Sequence, residues 1–260
     1  MRRVDGPKLL LLFLTWAMAA IVVFALGSIV LTPSPAGLVK ALLSREMAYA
    51  LTFTVATALL STALVMVLVI PVAYTLSRVR FRGSRLVRTV LYLPMALPQI
   101  VLGLCLLLLF GAPPVAQALR ALGVEVVFTR AGVVVAQTFI AFPYALRVLK
   151  ATFDSIDPRL EFVSRSLGCS RLETFRRVSL PLARTGLLAS GAIAFARCVG
   201  AFGSVLVLAG GMRMNTETLP IAIHLSLAYG NLEMAMAAGL LLIVLSSIGI
   251  YSVELMGGRP

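Results

Sequence analysis

The polar groups that could do chemistry in this sequence are few. Arg197 lies in the apolar run 182–208, more than ten residues from either end. An arginine at that depth costs several kcal/mol in lipid unless it is paired or hydrated. Its fork of donors suits a tetrahedral oxyanion. It equally suits a carbonyl or polar side chain across a helix bundle, and no acid stands near it in sequence. Gln99 ends "LPMALPQ", where Pro94 and Pro98 free backbone groups that could line a pore. Thr54 recurs with Thr52, Thr57 and Ser61 on one helix face, either along a path or as packing glue. Arg197, Gln99 and Thr54 are therefore the candidate pathway residues.

Enzyme chemistry has little to work with. His224 is the one histidine, and Cys105, Cys169 and Cys198 have no metal-ligand spacing and imply no disulfide. No nucleophile–base set is visible, so no catalytic or metal residue is expected. No glycine-rich phosphate loop occurs, so this chain is expected to hold no cofactor and any ATP belongs to another chain.

A second concentration of charge is "DSIDPRLEFVSRSLGCSRLETFRRVSLPL", residues 154–182. Asp157-Pro158 reads as an N-cap followed by proline at the first helical position. Leu160, Val163 and Leu167 then share one face. Gly168 stops this helix. Ser170 and Glu173 form a capping-box pattern that starts another, with Leu172, Phe175 and Val178 as its apolar side, and Leu180-Pro181 ends the unit. The pair is either a basic amphipathic patch on anionic lipid or a rigid knob for a protein partner.

The elements that hold these residues are set by solvent. The 260 residues are 60% hydrophobic and only 13% charged, where a soluble domain carries about 25% charged residues. Six apolar runs, 9–31, 52–76, 87–111, 131–149, 182–208 and 232–253, approach or exceed the roughly 20 residues of a spanning helix. They are continuous, which excludes a barrel. The first exceeds the usual 7–15 residues of a signal h-region, although Arg2, Arg3 and Lys8 precede it. Arginine excess on one side, including Arg78, Arg80, Arg82, Arg85, Arg88 and the 147–184 set, predicts both termini in the cytoplasm. The net charge of +13 is then topology, and no nucleic-acid partner is expected.

"LEFVSRSLGCSRLETFRRVSLPL" resembles the cytoplasmic loop of permease subunits in binding-protein-dependent ABC importers. That pattern has Glu-Ala-Ala, a glycine, about nine residues and Ile-x-Leu-Pro. Gly168, nine further residues and Val178-Ser179-Leu180-Pro181 match it, with Phe162, Val163 and Ser164 at the Glu-Ala-Ala places and Glu161 one place earlier. The resemblance runs from about residue 48 to 255. "LYLPMALPQIVLGLCLLLLFG", "VVFTRAGVVVAQTFIAFPYALRVLKATFDSIDPRLE" and "AIAFARCVGAFGSVLVLAGGMRMNTETLPIAIH" are similar to permeases for molybdate, tungstate and sulfate, with Ala201 where that subgroup often has Glu.

The resemblance implies an all-α, polytopic transmembrane bundle of the type I importer kind, one permease domain over 1–260 in a prokaryotic cell membrane. It implies an ATPase-coupling loop at 154–182 with Arg159, Leu160, Glu161, Val163, Ser164, Leu167, Gly168 and Arg171 as contact residues. The implied partners are a second copy, ATP-binding subunits that hold ATP and Mg, and a substrate-binding protein. The implied substrate is molybdate or tungstate first, sulfate second. A permease for another small solute or a secondary transporter is the alternative. The latter usually needs intramembrane carboxylates, and none of the acids lies mid-run.

Overall fold

The computed structural model describes residues 6–31 and 34–257. Arg2 and Arg3, which precede the first apolar run, lie outside the described residues. Among those described, the chain forms α-helices and one π-helical turn, with no strand. Four helices are long and apolar enough to cross a membrane. They are contained in α1 (Gly6–Leu31), α3 (Arg45–Arg78), α7 (Arg130–Ser155) and α14 (Leu232–Gly257). Two bent pairs bring the total to six if each is one span. These are α4 (Ser84–Ala96) with α5 (Gln99–Gly111), bent by 116°, and Arg171–Leu182 with α11 (Arg184–Val199), bent by 73°.

The expected single helix at 87–111 is therefore corrected. Pro98 pushes Leu97 out of the helical region, to φ −86° and ψ 142°, and the chain turns there. The run 182–208 is also two helices. α11 ends at Val199, residues 200–202 leave the helix, and α12 (Gly203–Ala209) follows. Both flanks are apolar, so hydrophobic periodicity carries no mark of this break.

The remaining elements are short: α2 (Pro35–Leu42), α6 (Pro113–Ala121), α8 (Pro158–Ser166), α9 (Arg171–Thr174), α10 (Leu180–Leu182) and α13 (Leu219–Ala228). Between α9 and α10, Phe175–Ser179 is π-helical, with Leu180 N–H reaching Phe175 O. Pro181 has no N–H to give an α-helical ladder, and the wider turn relieves its clash with the preceding turn.

The main core lies where α3, α7 and α11 cross. Val65, Val69, Leu146, Leu149, Phe153 and Cys198 fill it, and Ala58, Ala73, Ala145 and Ala194 allow close approach. A second core joins α5, α7 and α12, and a third joins α2, α13, α14 and the start of α3. Thr57 and Ser61 serve as glue. Ser61 donates to Gln137 Oε1 at 2.9 Å, and Gln137 Nε2 donates to Thr57 at 3.3 Å. Ser190 likewise donates to Ala145 O at 3.0 Å, tying α11 to α7. By contrast α1 is exposed along the part that would cross the bilayer and meets α14.

Candidate functional site

The 156–182 loop folds largely as its local signals require. Asp157 accepts from Arg159 N–H at 2.9 Å and Pro158 opens α8. Gly168 sits at φ +92°, a left-handed conformation that side chains disfavour. Ser170 accepts from Glu173 N–H at 3.2 Å while Glu173 accepts from Ser170 N–H at 2.8 Å, completing the capping box. That backbone bond holds the exposed Glu173 carboxyl below its ordinary range.

Two faces of α8 differ in character. Leu160, Val163 and Leu167 are exposed together as an apolar strip, with Arg159, Gly168 and Arg171 also exposed and Ser164 half-buried. Glu161 points the other way. It is 9% exposed, and its Oε1 receives Arg78 Nε at 2.8 Å and Ser179 Oγ at 2.8 Å. Tyr74 donates to Oε2 at 3.2 Å. Arg78 also donates to Ile156 O at 2.9 Å. Ser164 and Thr174 hydroxyls lie 3.1 Å apart and join α8 to α9. The Tyr74 ring packs edge-on against Phe175 and Phe153, with centroids 4.7 and 5.5 Å apart. The loop is thus one rigid unit fastened to the ends of α3 and α7. Tyr74, Arg78 and Ser179 were not singled out as partners of Glu161, since they lie 87, 83 and 18 residues away.

Arg197 occupies the last turn of α11, about 20 Å along the helix axis from Arg184. The position inside one long span is corrected, because the helix ends two residues later. Its guanidinium carbon lies 3.9 Å from the centroid of the Tyr144 ring on α7. This cation–π contact steadies one face of the group. The side chain is exposed on the surface of the chain, with no hydrogen bond or ion pair among the described residues. A guanidinium so held keeps its donor edges available for an anion.

Gln99 and Thr54 have backbone partners instead. Gln99 Oε1 accepts from Phe202 and Gly203 N–H at 3.1 and 3.2 Å, satisfying groups freed by the break before α12. Gly203 is tight here, since a Cβ would meet Gln99 and Ile100 at 3.1 and 2.9 Å. Thr54, expected on a path, is fully enclosed. It donates to Ala50 O at 2.6 Å and accepts from Leu219 N–H at 2.8 Å, capping α13.

The opposite end of α3 meets the 210–218 loop. Glu46 pairs with Arg213, and Tyr49 donates to Asn215 O at 2.6 Å. Glu217, which sequence reasoning passed over, is 1% exposed and accepts from Met214 N–H at 2.8 Å. Burial raises its carboxyl above the ordinary value of 4.5, and Glu46 adds to this, against Met214 N–H and Arg213.

Comparisons with known proteins agree with this architecture. A family profile described as "Binding-protein-dependent transport system inner membrane component" matches residues 70–259. A probable molybdenum ABC transporter permease of Haloferax volcanii is 37% identical over 237 residues, covering 90% of this chain and 85% of that protein. The molybdenum transport system permease ModB of Mycobacterium tuberculosis is 36% identical, covering 78% and 77%. The sulfate transport system permease CysT of Salmonella typhimurium is 31% identical, covering 72% and 68%. In fold, the chain superposes on a bacterial ABC transporter involved in alginate import with TM-score 0.73 and 19% identity, covering 97% of each chain. An all-helical membrane bundle with a glycine-centred loop and this breadth of similarity has one family assignment. The chain belongs to the inner membrane component family of binding-protein-dependent transport systems and is a transport permease.

Proposed function

We propose that this chain is the permease subunit of an ATP-driven importer for a tetrahedral oxyanion, with molybdate or tungstate the first choice and sulfate the second. The observation that carries the reading is its 36–37% identity to permeases named for molybdenum, over most of the chain. The match to a permease named for sulfate favours sulfate as the second substrate. Two copies enclose the path, each presenting Arg197. ATP and Mg are held by separate subunits that dock on Leu160, Val163 and Leu167, while a binding protein delivers the anion on the other side. A solved fold relative is described in complex with a ligand-bound periplasmic protein, which supports such a delivery step. Arginine excess supports a cytoplasmic position for the 154–182 loop and for both termini. The chain does no chemistry on the anion. It alternates between states that open to opposite sides, biased through the loop.

The test is uptake of radiolabelled molybdate into vesicles holding the permease, its ATP-binding subunits and the binding protein. ATP-dependent accumulation should be blocked by a small excess of tungstate and only by a large excess of sulfate. Accumulation driven by an ion gradient without ATP, or no accumulation of any of the three anions, would overturn the proposal.

A further inference from the structure

α8 faces two ways, and only its outward strip has been given a partner. Its inward face lines an open cleft of about 510 Å³ against the end of α3 and the start of α9. Arg78 and Arg80 from α3 and the turn after it, Arg165 from α8, and Arg171 from α9 converge on this space. One acid, Glu161, lines it with them, and its oxygens are already taken by Arg78, Ser179 and Tyr74. Arg80, Arg165 and Arg171 have neither an ion pair nor a side-chain hydrogen bond among the described residues. Arg80, Arg165 and Arg171 are exposed around this open cleft, and their like charges give it a positive potential. A counter-anion relieves this.

The geometry points to an anion site between α8 and the end of α3, taking a tetrahedral oxyanion group. Arginines from α8, from α9 and from the segment after α3 line the one cleft, guanidinium groups suit the oxygens of such a group, and the volume lies within the range of small-ligand pockets. Two sources share this chemistry. One is the phosphate of an anionic membrane lipid, whose apolar part would follow the exposed Phe162 side of the cleft. The other is a free oxyanion. Either would brace α8 from the side opposite Leu160, Val163 and Leu167, and so bias the loop that meets the ATP-binding subunits. The site does not depend on which anion crosses the membrane.

The experiment uses the complex with its ATP-binding subunits in two arms. In the lipid arm, the complex is exchanged into nanodiscs of phosphatidylcholine with phosphatidylglycerol, and retained lipid is measured by native mass spectrometry. In the free-anion arm, tungstate is titrated calorimetrically into phosphatidylcholine nanodiscs without the binding protein. The cleft variant is Arg80→Gln with Arg165→Gln, and the comparison variant is Arg176→Gln with Arg177→Gln, exposed on the same loop outside the cleft. The cleft variant should weaken retention or binding about tenfold or more in one arm, with the comparison variant within about twofold. The arm that responds identifies the source. Equal losses in the two variants, or no binding in either arm, would overturn the site.

Discussion

Arg78, the last residue of α3, and Glu161, on the inward face of α8, form a 2.8 Å ion pair between positions 83 residues apart. Both side chains are close to nine-tenths buried, with relative exposures of 11% and 12%. The pair does not stand alone, because Ser179, Tyr74 and Ile156 O complete its hydrogen bonds. Buried pairs of this kind specify geometry more than they add stability. Here the geometry is the angle at which α8 leaves the membrane body.

Removing the charge of Glu161 should therefore uncouple the loop without unfolding the spans. Glu161→Gln leaves Arg78 uncompensated, a local cost of about 3–5 kcal/mol. The variant should insert and reach the membrane, while ATP hydrolysis stimulated by the loaded binding protein falls about tenfold or more. Arg78→Lys should retain part of it. Stimulation of Glu161→Gln at the wild-type level would remove the pair from coupling.

Gly168 isolates a backbone effect, since a Cβ there meets nothing within 4 Å at φ +92°. Gly168→Ala should cost about 1–2 kcal/mol of loop stability, and Gly168→Asn less, because Asn tolerates this region. Gly168→Asp is tolerated by the turn much as Asn is, but it adds a carboxylate at the exposed turn beside Leu167, so it should still insert but lose uptake or its ATP-binding partner. Co-purification and uptake at wild-type level in the Asp variant would rule the loop out as the docking element.

Arg197 and Tyr144 should separate charge from packing. Arg197→Met keeps much of the stem and should abolish uptake in an assembled complex, while Arg197→Lys retains part. Tyr144→Leu removes the ring beneath the guanidinium, about 0.5–2 kcal/mol of positioning, and should lower uptake by a smaller factor. Wild-type uptake by an assembled Met variant would exclude any role for the charge.

Glu217 gives a pH dependence with a defined sign. Its folded carboxyl is raised above 4.5 by burial, so the folded loop binds the proton more tightly than the unfolded chain. Its contribution to stability is fully present below 4.5 and is lost as pH rises through the raised value. Glu217→Gln should flatten this profile. Thermal unfolding of the detergent-purified complex across that window checks it, and an unchanged slope in the variant would assign the dependence elsewhere.

Orientation can be read by labelling single cysteines in a background lacking Cys105, Cys169 and Cys198. An impermeant maleimide added outside should miss Arg82→Cys and reach Arg120→Cys, both exposed positions. The reverse pattern would invert the chain.

What could be read from the residues was whatever acts over a few positions. The Asp157 cap, the Gly168 turn and the Ser170–Glu173 box each close within four residues, and all appear in the structure. The spans were legible as apolar length, but not the break at 200–202, because α11 and α12 are apolar on both sides of it. Partners at long separation carried no local mark. Thr54 looked like one polar residue among several on a helix face, yet its oxygen is spent on Leu219 N–H, 165 residues away. Arg197 lacked an acid in sequence, and the group that steadies it is an aromatic ring on another helix.

One consequence lies in the length of α3. Its 34 residues extend about 51 Å, against a hydrocarbon layer of about 30 Å. At one end Arg78 grips the α8 loop, and at the other Glu46, Tyr49 and Thr54 hold Arg213, Asn215 and Leu219. The helix therefore ties the α8 loop to the 210–218 loop across the thickness of the bundle. A tilt of about 10° around one fastening would carry the other end through about 9 Å, so the two loops are expected to move together when α3 tilts.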